Sequence, residues 1–289
     1  TYTTYYDFEE DAVTNGPTNP PASGVTRGTG NLCTAGVADY TDADVRKSQM
    51  LRIYGAPGIN STGVLNLDKF TRKSTDYSVT WRQVVTSAGS YKNGVLMRGD
   101  TLTVGSNSSG YTQGMMAGYY LNVYNDGATT QFRIYKSTAS RSLNMFNSSS
   151  VALSAPVGKS IWYRASVSGT TKVTLKIEYS TDGENWNVGT VTTDEGGDFR
   201  QGATQFVWGL AASTNNFLID DIAFEGITYD EGVVTGIMSA EESAVGVDYE
   251  EYYDVAGRRI RPGDVPRGIV IRRSHLTDGT VKVEKILKK

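Results

Sequence analysis

Apolar and polar residues alternate with a period of two along the segment from Ser160 to Thr192. The middle of this segment places apolar or aromatic side chains on one face and polar ones on the other: Val173, Leu175, Ile177 and Tyr179 against Lys172, Thr174, Lys176 and Glu178. Such alternation is typical of an antiparallel sheet with one buried side. Short polar connections with glycine, 167–170 and 181–184, divide the segment into three predicted strands.

Strand patterns recur at short spacing along most of the remaining chain. We predict further strands at 3–8, 50–54, 63–67, 77–85, 94–98, 115–124, 131–136, 142–146, 204–211 and 216–227. A helix is predicted only at 41–49, with Thr41 as N-cap and acids in the first turn. The region 15–31 is too rich in Pro and Gly for regular structure. This many strands with almost no helix indicate two packed antiparallel sheets.

Three motifs within this pattern resemble a known group of folds. IWYRASVSG (161–169) followed by KVTLKIEYSTDGENW (172–186) resembles a strand pair of laminin-G-like and concanavalin-A-like jelly rolls. FLIDDIAFEG (217–226) is similar to the closing strand of jelly-roll carbohydrate-binding modules, and YYDFEED (5–11) resembles their opening strand. The resemblance implies an all-β protein, a two-sheet antiparallel jelly-roll sandwich, over residues 1–228.

The character of the chain changes after residue 228. Residues 229–257 hold many acids and no Lys or Arg, whereas 258–289 are rich in Lys and Arg, which favours a boundary. The end of the chain resembles the C-terminal sorting domain of type IX secretion substrates, at Tyr253, Asp254, Gly257, Arg258 and 268–271. We therefore predict an acidic linker at 229–247 and a small β appendage at 248–289. The resemblance implies a secreted or cell-surface protein whose tail binds secretion machinery.

Composition excludes several kinds of chemistry. His275 is the only histidine and lies in the tail, so a Ser-His-Asp triad or a Cys-His pair cannot form in the main domain. The lone Cys33 can form no internal disulfide. Lys and Arg nearly balance Asp and Glu, giving a net charge of -3, which predicts no nucleic acid or other polyionic partner. No apolar run is long enough to span a membrane.

Carboxylates are also too poorly arranged for glycoside hydrolysis. That reaction needs two carboxyl groups at a fixed separation, which alternating positions of a strand provide. The cluster DEGGD (194–198) instead falls in a glycine-rich segment, which is typical of a solvated turn. The sequence leaves open the alternative that the protein is a lyase that uses Arg, Lys or Tyr as its base.

The jelly-roll resemblance implies a possible structural Ca²⁺ site. In those modules, acids of the opening and closing strands lie side by side and hold the ion through oxygen ligands, as a hard cation requires. The corresponding positions here are Glu9, Glu10, Asp220 and Asp221. The alternative is that these acids lie at a solvated sheet edge.

Strand alternation also predicts a polar face next to the opening segment. If Leu121, Val123, Phe132 and Ile134 point into the core, the intervening side chains point outward. A turn at 125–128 joins the two strands, so these outward side chains adjoin. The predicted ligand-binding residues are Tyr120, Asn122, Tyr124, Gln131, Arg133 and Tyr135, with Arg82 and Arg98 on the polar faces of other strands.

Tyr rings pack on the C–H faces of sugars, and Asn, Gln and Arg bind their hydroxyl groups. The sequence therefore favours a secreted, non-catalytic module that binds a polysaccharide or glycan, alone or within a larger polysaccharide-degrading protein. One alternative is a structural or adhesive surface protein. Another is a polysaccharide lyase or glycoside hydrolase whose catalytic residues the sequence does not reveal.

Overall fold

The computed structural model describes residues 4–28, 34–55, 62–67, 75–100, 102–103, 114–138, 142–210, 216–226, 247–253, 259–260, 268–276 and 281–288. The chain divides into two compact units, Thr1–Asp230 and Glu231–Lys289. No helix in the described ranges has the length and apolar character needed to cross a membrane.

The described residues of the first unit form strands joined by turns and loops. In chain order the strands are β1 (Thr4–Tyr6), β2 (Val25–Arg27), β3 (Ala35–Thr41), β4 (Lys47–Tyr54), β5 (Thr62–Leu67), β6 (Tyr77–Val85), β7 (Tyr91–Gly99), β8 (Leu102–Thr103), β9 (Met115–Met116), β10 (Gly118–Asn125), β11 (Thr130–Thr138), β12 (Ser142–Val151), β13 (Ser160–Ser168), β14 (Val173–Ser180), β15 (Asn187–Asp194), β16 (Ala203–Leu210) and β17 (Asn216–Glu225).

Two large antiparallel sheets make the predicted jelly-roll sandwich. Sheet I has eight strands in the order β15-β14-β13-β6-β17-β4-β3, with β1 paired to β17. Sheet II has seven strands in the order β12-β11-β10-β7-β16-β5-β2. The segment from Ser160 to Thr192 supplies β13, β14 and most of β15, which lie at one edge of sheet I.

Aromatic side chains from both sheets meet in the core. Trp81 of β6 packs edge-on against Phe206 of β16, with ring centroids 6.1 Å apart. Phe132 of β11 stacks on Tyr179 of β14 at 5.5 Å. Trp208 is fully buried as well, so both tryptophans belong to the core.

Two local predictions are wrong. The segment 41–49 forms no helix, because β3 ends at Thr41 and β4 begins at Lys47. The Asp42 carboxylate accepts hydrogen bonds from the backbone N–H groups of Asp44 and Arg46, which closes a hairpin turn. The irregular region 15–31 also contains a short strand, β2, paired with β5.

The second unit contains a separate four-stranded sheet. Its strands are β18 (Val247–Tyr253), β19 (Arg259–Ile260), β20 (Gly268–Leu276) and β21 (Val281–Lys288), in the order β19-β18-β20-β21. Glu251 of β18 lies 3.2 Å from His275 Nε2 of β20 and 2.9 Å from Arg259. Most of the predicted acidic linker, and the predicted turn at Asp254, Gly257 and Arg258, lie outside the described residues.

Candidate functional site

The outward side chains of β10 and β11 lie side by side on sheet II. Cross-strand register pairs Tyr120 with Tyr135, Asn122 with Arg133, and Tyr124 with Gln131. The intervening residues Leu121, Val123, Phe132 and Ile134 are buried in the core, which confirms the predicted alternation. We call the six outward residues the tyrosine–arginine surface: Tyr120, Asn122, Tyr124, Gln131, Arg133 and Tyr135.

Arg133 is held in one orientation at the centre of this surface. Its Nε and Nη2 groups donate hydrogen bonds to Gln131 Oε1 at 3.0 and 2.6 Å. Its guanidinium carbon lies 4.5 Å from the centroid of the Tyr124 ring. Lys92 of β7 also approaches this ring, with Nζ 5.5 Å from the centroid. Two cations therefore flank one half-buried tyrosine, in contacts of the cation–π type.

The second tyrosine pair forms the other end of the surface. Tyr135 is half-buried and stacks on Tyr120 at a centroid distance of 5.9 Å. The Tyr120 hydroxyl donates to the backbone oxygen of Val207 and accepts from Asn122 Nδ2. Burial raises the pKa of the Tyr120 hydroxyl. Tyr120 and Asn122 are thus buried, contrary to their predicted exposure, whereas Tyr135 beside Tyr120 is more exposed.

Strand pairing extends this face to residues that the sequence patterns did not reveal. Arg133 pairs with Ser148 and Tyr135 pairs with Met145 on β12, so these side chains share the face. Lys92 pairs with Tyr124 from the other side. Lys92 was missed because the predicted strand began at Gly94, whereas β7 begins at Tyr91. Knowledge of the strand start would have placed it on the outward face.

The other half of the outer face of sheet II is covered. Gln205 of β16 accepts a hydrogen bond from the Met116 N–H and donates one to the Gly114 carbonyl oxygen. Leu96 and Val207 are buried on this half. Solvent access on this face is therefore concentrated on β11 and β12, at Tyr124 of β10 and at the Lys92 end of β7.

Arg82 and Arg98 do not join this surface, although the sequence predicted both as ligand-binding residues on polar strand faces. Arg82 lies on β6 in sheet I and is buried. Arg98 lies on β7 but is fully buried, and it donates to the carbonyl oxygens of Thr75 and Phe199 and to Asp76 Oδ1. The alternation of apolar and polar residues placed Arg82 and Arg98 on polar strand faces. It could not show that other segments bury these two side chains.

The acids predicted to bind Ca²⁺ are occupied by other contacts. Arg82 Nη2 donates to Asp220 Oδ2 at 2.5 Å, and Arg82 Nε donates to Asp221 Oδ2 at 3.0 Å. Glu9 Oε1 accepts from the Gln49 N–H, and Glu10 is exposed. Within the described ranges, no group of three or more His, Cys, Asp or Glu residues is arranged for a metal ion. The Arg82 guanidinium occupies the position beside Asp220 and Asp221 that a cation would need. The residues present therefore do not fit the predicted calcium site.

Asp194 of the DEGGD segment is buried rather than solvated. Its carboxylate accepts from the Tyr119 hydroxyl at 2.6 Å and pairs with Lys136 Nζ at 2.8 Å. Lys136 also lies 3.0 Å from Asp198. Burial opposes ionisation, but the hydrogen bonds from Lys136 and Tyr119 hold the pKa of Asp194 below its ordinary value. This network fastens the loop after β15 to sheet II.

Comparisons of the sequence with protein-family models and with curated proteins found no match. Solved structures with a similar fold include a legume lectin-like domain from Entamoeba histolytica, at 11% identity and a TM-score of 0.49, over 75% of this chain and 99% of that one. The lumenal domain of VIP36, in a form bound to Ca²⁺ and Man3GlcNAc, is 10% identical over 73% of this chain and 88% of that one, with a TM-score of 0.44.

An alginate lyase in complex with alginate tetrasaccharide is also similar, at 9% identity and a TM-score of 0.49, over 79% of this chain and 98% of that one. Lectin-like and lyase folds are thus both among the similar structures. At these identities the similarity concerns the sandwich fold.

Proposed function

We propose that the first unit is a carbohydrate-binding module that recognises a polysaccharide through the tyrosine–arginine surface. The observation that carries this proposal is the arrangement of Tyr135, Arg133 and Tyr124 on adjacent positions of an open sheet face. Residues of a stable sheet are held in place by the backbone, so they form a rigid binding surface. A polysaccharide chain is extended and can lie across several strands.

Each part of the surface has a chemical role in this proposal. The ring of Tyr135, which stacks on Tyr120, offers an apolar face to the C–H groups of a sugar ring. Gln131 and Arg133 offer planar hydrogen-bonding groups to hydroxyl groups. Ser148 extends this polar edge onto β12. The residues predicted from alternation therefore supply both contacts that sugar recognition needs.

The test is binding to a panel of soluble polysaccharides, measured by isothermal titration calorimetry with the full chain. Tyr135→Ala and Tyr124→Ala are each expected to weaken binding by roughly three- to tenfold, the value of a lost aromatic contact. Tyr54→Ala is the matched control, because Tyr54 is a half-buried tyrosine beside Arg52 on sheet I. Undiminished binding by both surface variants would refute the proposed site.

The same panel separates the alternatives. Release of reducing ends or unsaturated products would identify a hydrolase or lyase. Absence of binding to every polysaccharide, together with self-association, would favour a structural or adhesive protein. Binding without turnover is the result expected for a non-catalytic module.

We also propose that the protein is exported, with the second unit as the segment that the secretion machinery recognises. The support is the sequence resemblance at Tyr253, Gly257 and 268–271. The full chain and a chain ending at residue 230 would be expressed in a bacterium that has a type IX system. Secretion of the full chain alone is expected, and equal secretion of both would contradict the role of the tail.

A further inference from the structure

Acidic residues are distributed unequally between the two sheets of the sandwich. The seven strands of sheet II contain no Asp or Glu, although they contain the cations Arg27, Lys92, Arg98, Arg133 and Lys136. The acidic strand residues of the first unit all lie in sheet I, at Asp39, Glu178, Asp194, Asp220, Asp221 and Glu225. The overall charge of the chain, from which the sequence predicted no polyionic partner, does not reveal this difference between its two sheets.

Several cations on sheet I are neutralised by neighbouring carboxylates. Arg164 Nε lies 2.8 Å from Glu178 Oε2, and Lys176 Nζ lies 3.1 Å from Glu178 Oε1. Arg82 pairs with Asp220 and Asp221. These guanidinium and ammonium groups are therefore already paired within the fold.

Lys92 and Arg133 differ from these cations. Within the part of the chain that the structure describes, neither has a carboxylate at ion-pair distance. The carboxylate of Asp126, in the turn that follows β10, accepts instead from the backbone and hydroxyl of Thr129. Lys92 and Arg133 thus bring positive charge to one open face, and no described carboxylate balances it.

The Arg133 guanidinium is also held in an orientation in which it can bind an anion. Gln131 holds its Nε and Nη2 groups, and the Tyr124 ring supports its plane from the side. The Nη1 group donates to no acceptor among the described residues. A guanidinium fixed by its own neighbours loses little side-chain entropy when it binds an anion.

We propose that the tyrosine–arginine surface selects anionic polysaccharides, whose sugars carry carboxylate or sulfate groups, and that Arg133 and Lys92 pair with those groups. This inference rests on the proposed carbohydrate-binding function and names its ligand class. Pairing of a guanidinium or ammonium with an anionic group is stronger than pairing with a hydroxyl. No acid on the strands of sheet II competes for the two cations or repels the ligand.

The test compares charged polysaccharides with uncharged chains of the same backbone. Polygalacturonate and hyaluronate would be titrated beside their carboxyl-reduced forms, and dextran sulfate beside dextran. Binding to at least one charged chain is expected to be about tenfold tighter or more than to its neutral counterpart. It should weaken as salt is raised, because exposed ion pairs are screened.

Two charge-removing variants and one control identify the residues. Arg133→Gln and Lys92→Gln should each reduce the preference for the charged chain and lower the salt dependence. Arg52→Gln is the control, because Arg52 is a cation on sheet I that donates to the Asn216 side chain. It should leave the preference unchanged. Circular dichroism would establish that every variant is folded.

The outcomes are distinguishable from those of the proposed function. Equal affinity for charged and neutral forms overturns the anion preference but keeps carbohydrate binding. No binding to any chain overturns both. Tight binding to dextran sulfate alone supports the preference and identifies sulfate, whereas tight binding to polyuronates identifies carboxylate. Single-stranded DNA bound as tightly as the best polysaccharide would overturn the assignment to sugars.

Discussion

Arg82 contacts more carboxylates than its single charge can balance. Its guanidinium lies 2.5 Å from Asp220, 3.0 Å from Asp221 and 3.9 Å from Asp42. Asp220 is almost fully buried, and its Oδ1 atom has no partner among the described residues. Burial, together with the nearby charge of Asp221, raises the pKa of Asp220 to about 7 despite the contact with Arg82. The Asp220 carboxyl group is therefore partly protonated near neutral pH.

This titration predicts how stability depends on pH. Between about pH 4 and pH 7, folded Asp220 holds a proton that the unfolded chain, with its ordinary pKa of 3.8, has released. The contribution of Asp220 to the free energy of unfolding therefore falls as pH rises through this window. Relative to Asp220→Asn, the wild type should lose on the order of 4 kcal/mol between pH 4 and pH 8.

Urea denaturation at a series of pH values would measure this difference. Asp39→Asn is a suitable control, because Asp39 is an exposed acid of the same sheet. Its curve should run parallel to that of the wild type. Parallel curves for Asp220→Asn as well would mean that Asp220 is ionised throughout the range.

The conformation of the turns depends on a few polar contacts and on glycine. In the turn between β14 and β15, Asp182 Oδ1 accepts from the backbone N–H groups of Glu184 and Asn185. Gly183 follows with a φ of 83°, a conformation that favours glycine. A Cβ at Gly183 would lie 3.1 Å from Cε2 of Trp162, on the neighbouring strand β13. Glycine is therefore required there by both its conformation and its neighbour.

Gly127 provides a comparison that separates these two requirements. It has a φ of 98°, but a Cβ there would meet no atom within 4 Å. We expect Gly127→Ala to cost about 1 kcal/mol from backbone strain alone, and Gly183→Ala about 2 kcal/mol because of the added contact with Trp162. Thermal and urea denaturation of the two variants would test this. Equal costs would show that the Trp162 ring moves aside freely.

The same turn chemistry explains which elements could be predicted from the sequence. Strands β13 and β14 were evident because one face is buried and Gly169 and Gly183 mark their ends. The turn between β3 and β4 was mistaken for a helix start. Asp42 binds backbone N–H groups two and four residues ahead, and the residue type that does this in a turn is also the type that caps a helix.

The candidate site could be predicted only in part for a related reason. Period-two alternation and a short hairpin turn placed the outward residues of β10 and β11 together, because both signals are local. The position of Arg82 depends on β6 pairing with β13 and β17, which are distant in sequence. Long-range strand order has no local signal, so alternation alone could not show that Arg82 lies in sheet I and is buried.

At the scale of the whole sandwich, two edge strands cover one another. β12 ends sheet II and β15 ends sheet I. Asn147 of β12 donates to Thr190 Oγ1 and to the Val191 carbonyl oxygen, and Ser149 donates to the Gly189 carbonyl oxygen. These side chains occupy backbone acceptors that an exposed edge would offer to another chain.

Loss of the hydrogen bonds between β12 and β15 should promote aggregation of the protein. The exposed apolar side chains Met145, Val188 and Val191 lie on the same two strands. We expect the double variant Asn147→Ala, Ser149→Ala to aggregate faster on heating than the wild type, because free backbone groups and apolar side chains then lie together. Light scattering at a fixed temperature would measure the rate. Ser148→Ala, a single exposed change on the same strand, should behave like the wild type.

The absence of acids from the strands of sheet II has one further consequence. The strands of sheet II carry five cations and no acid, whereas those of sheet I carry six acids and five cations, so the charges of the strands alone form a dipole directed across the sandwich. A dipole turns in an external field even when the net charge is unfavourable. A chain of net charge -3 can thus approach a negatively charged polymer in one orientation, with Lys92 and Arg133 leading. Such orientation should raise the association rate constant.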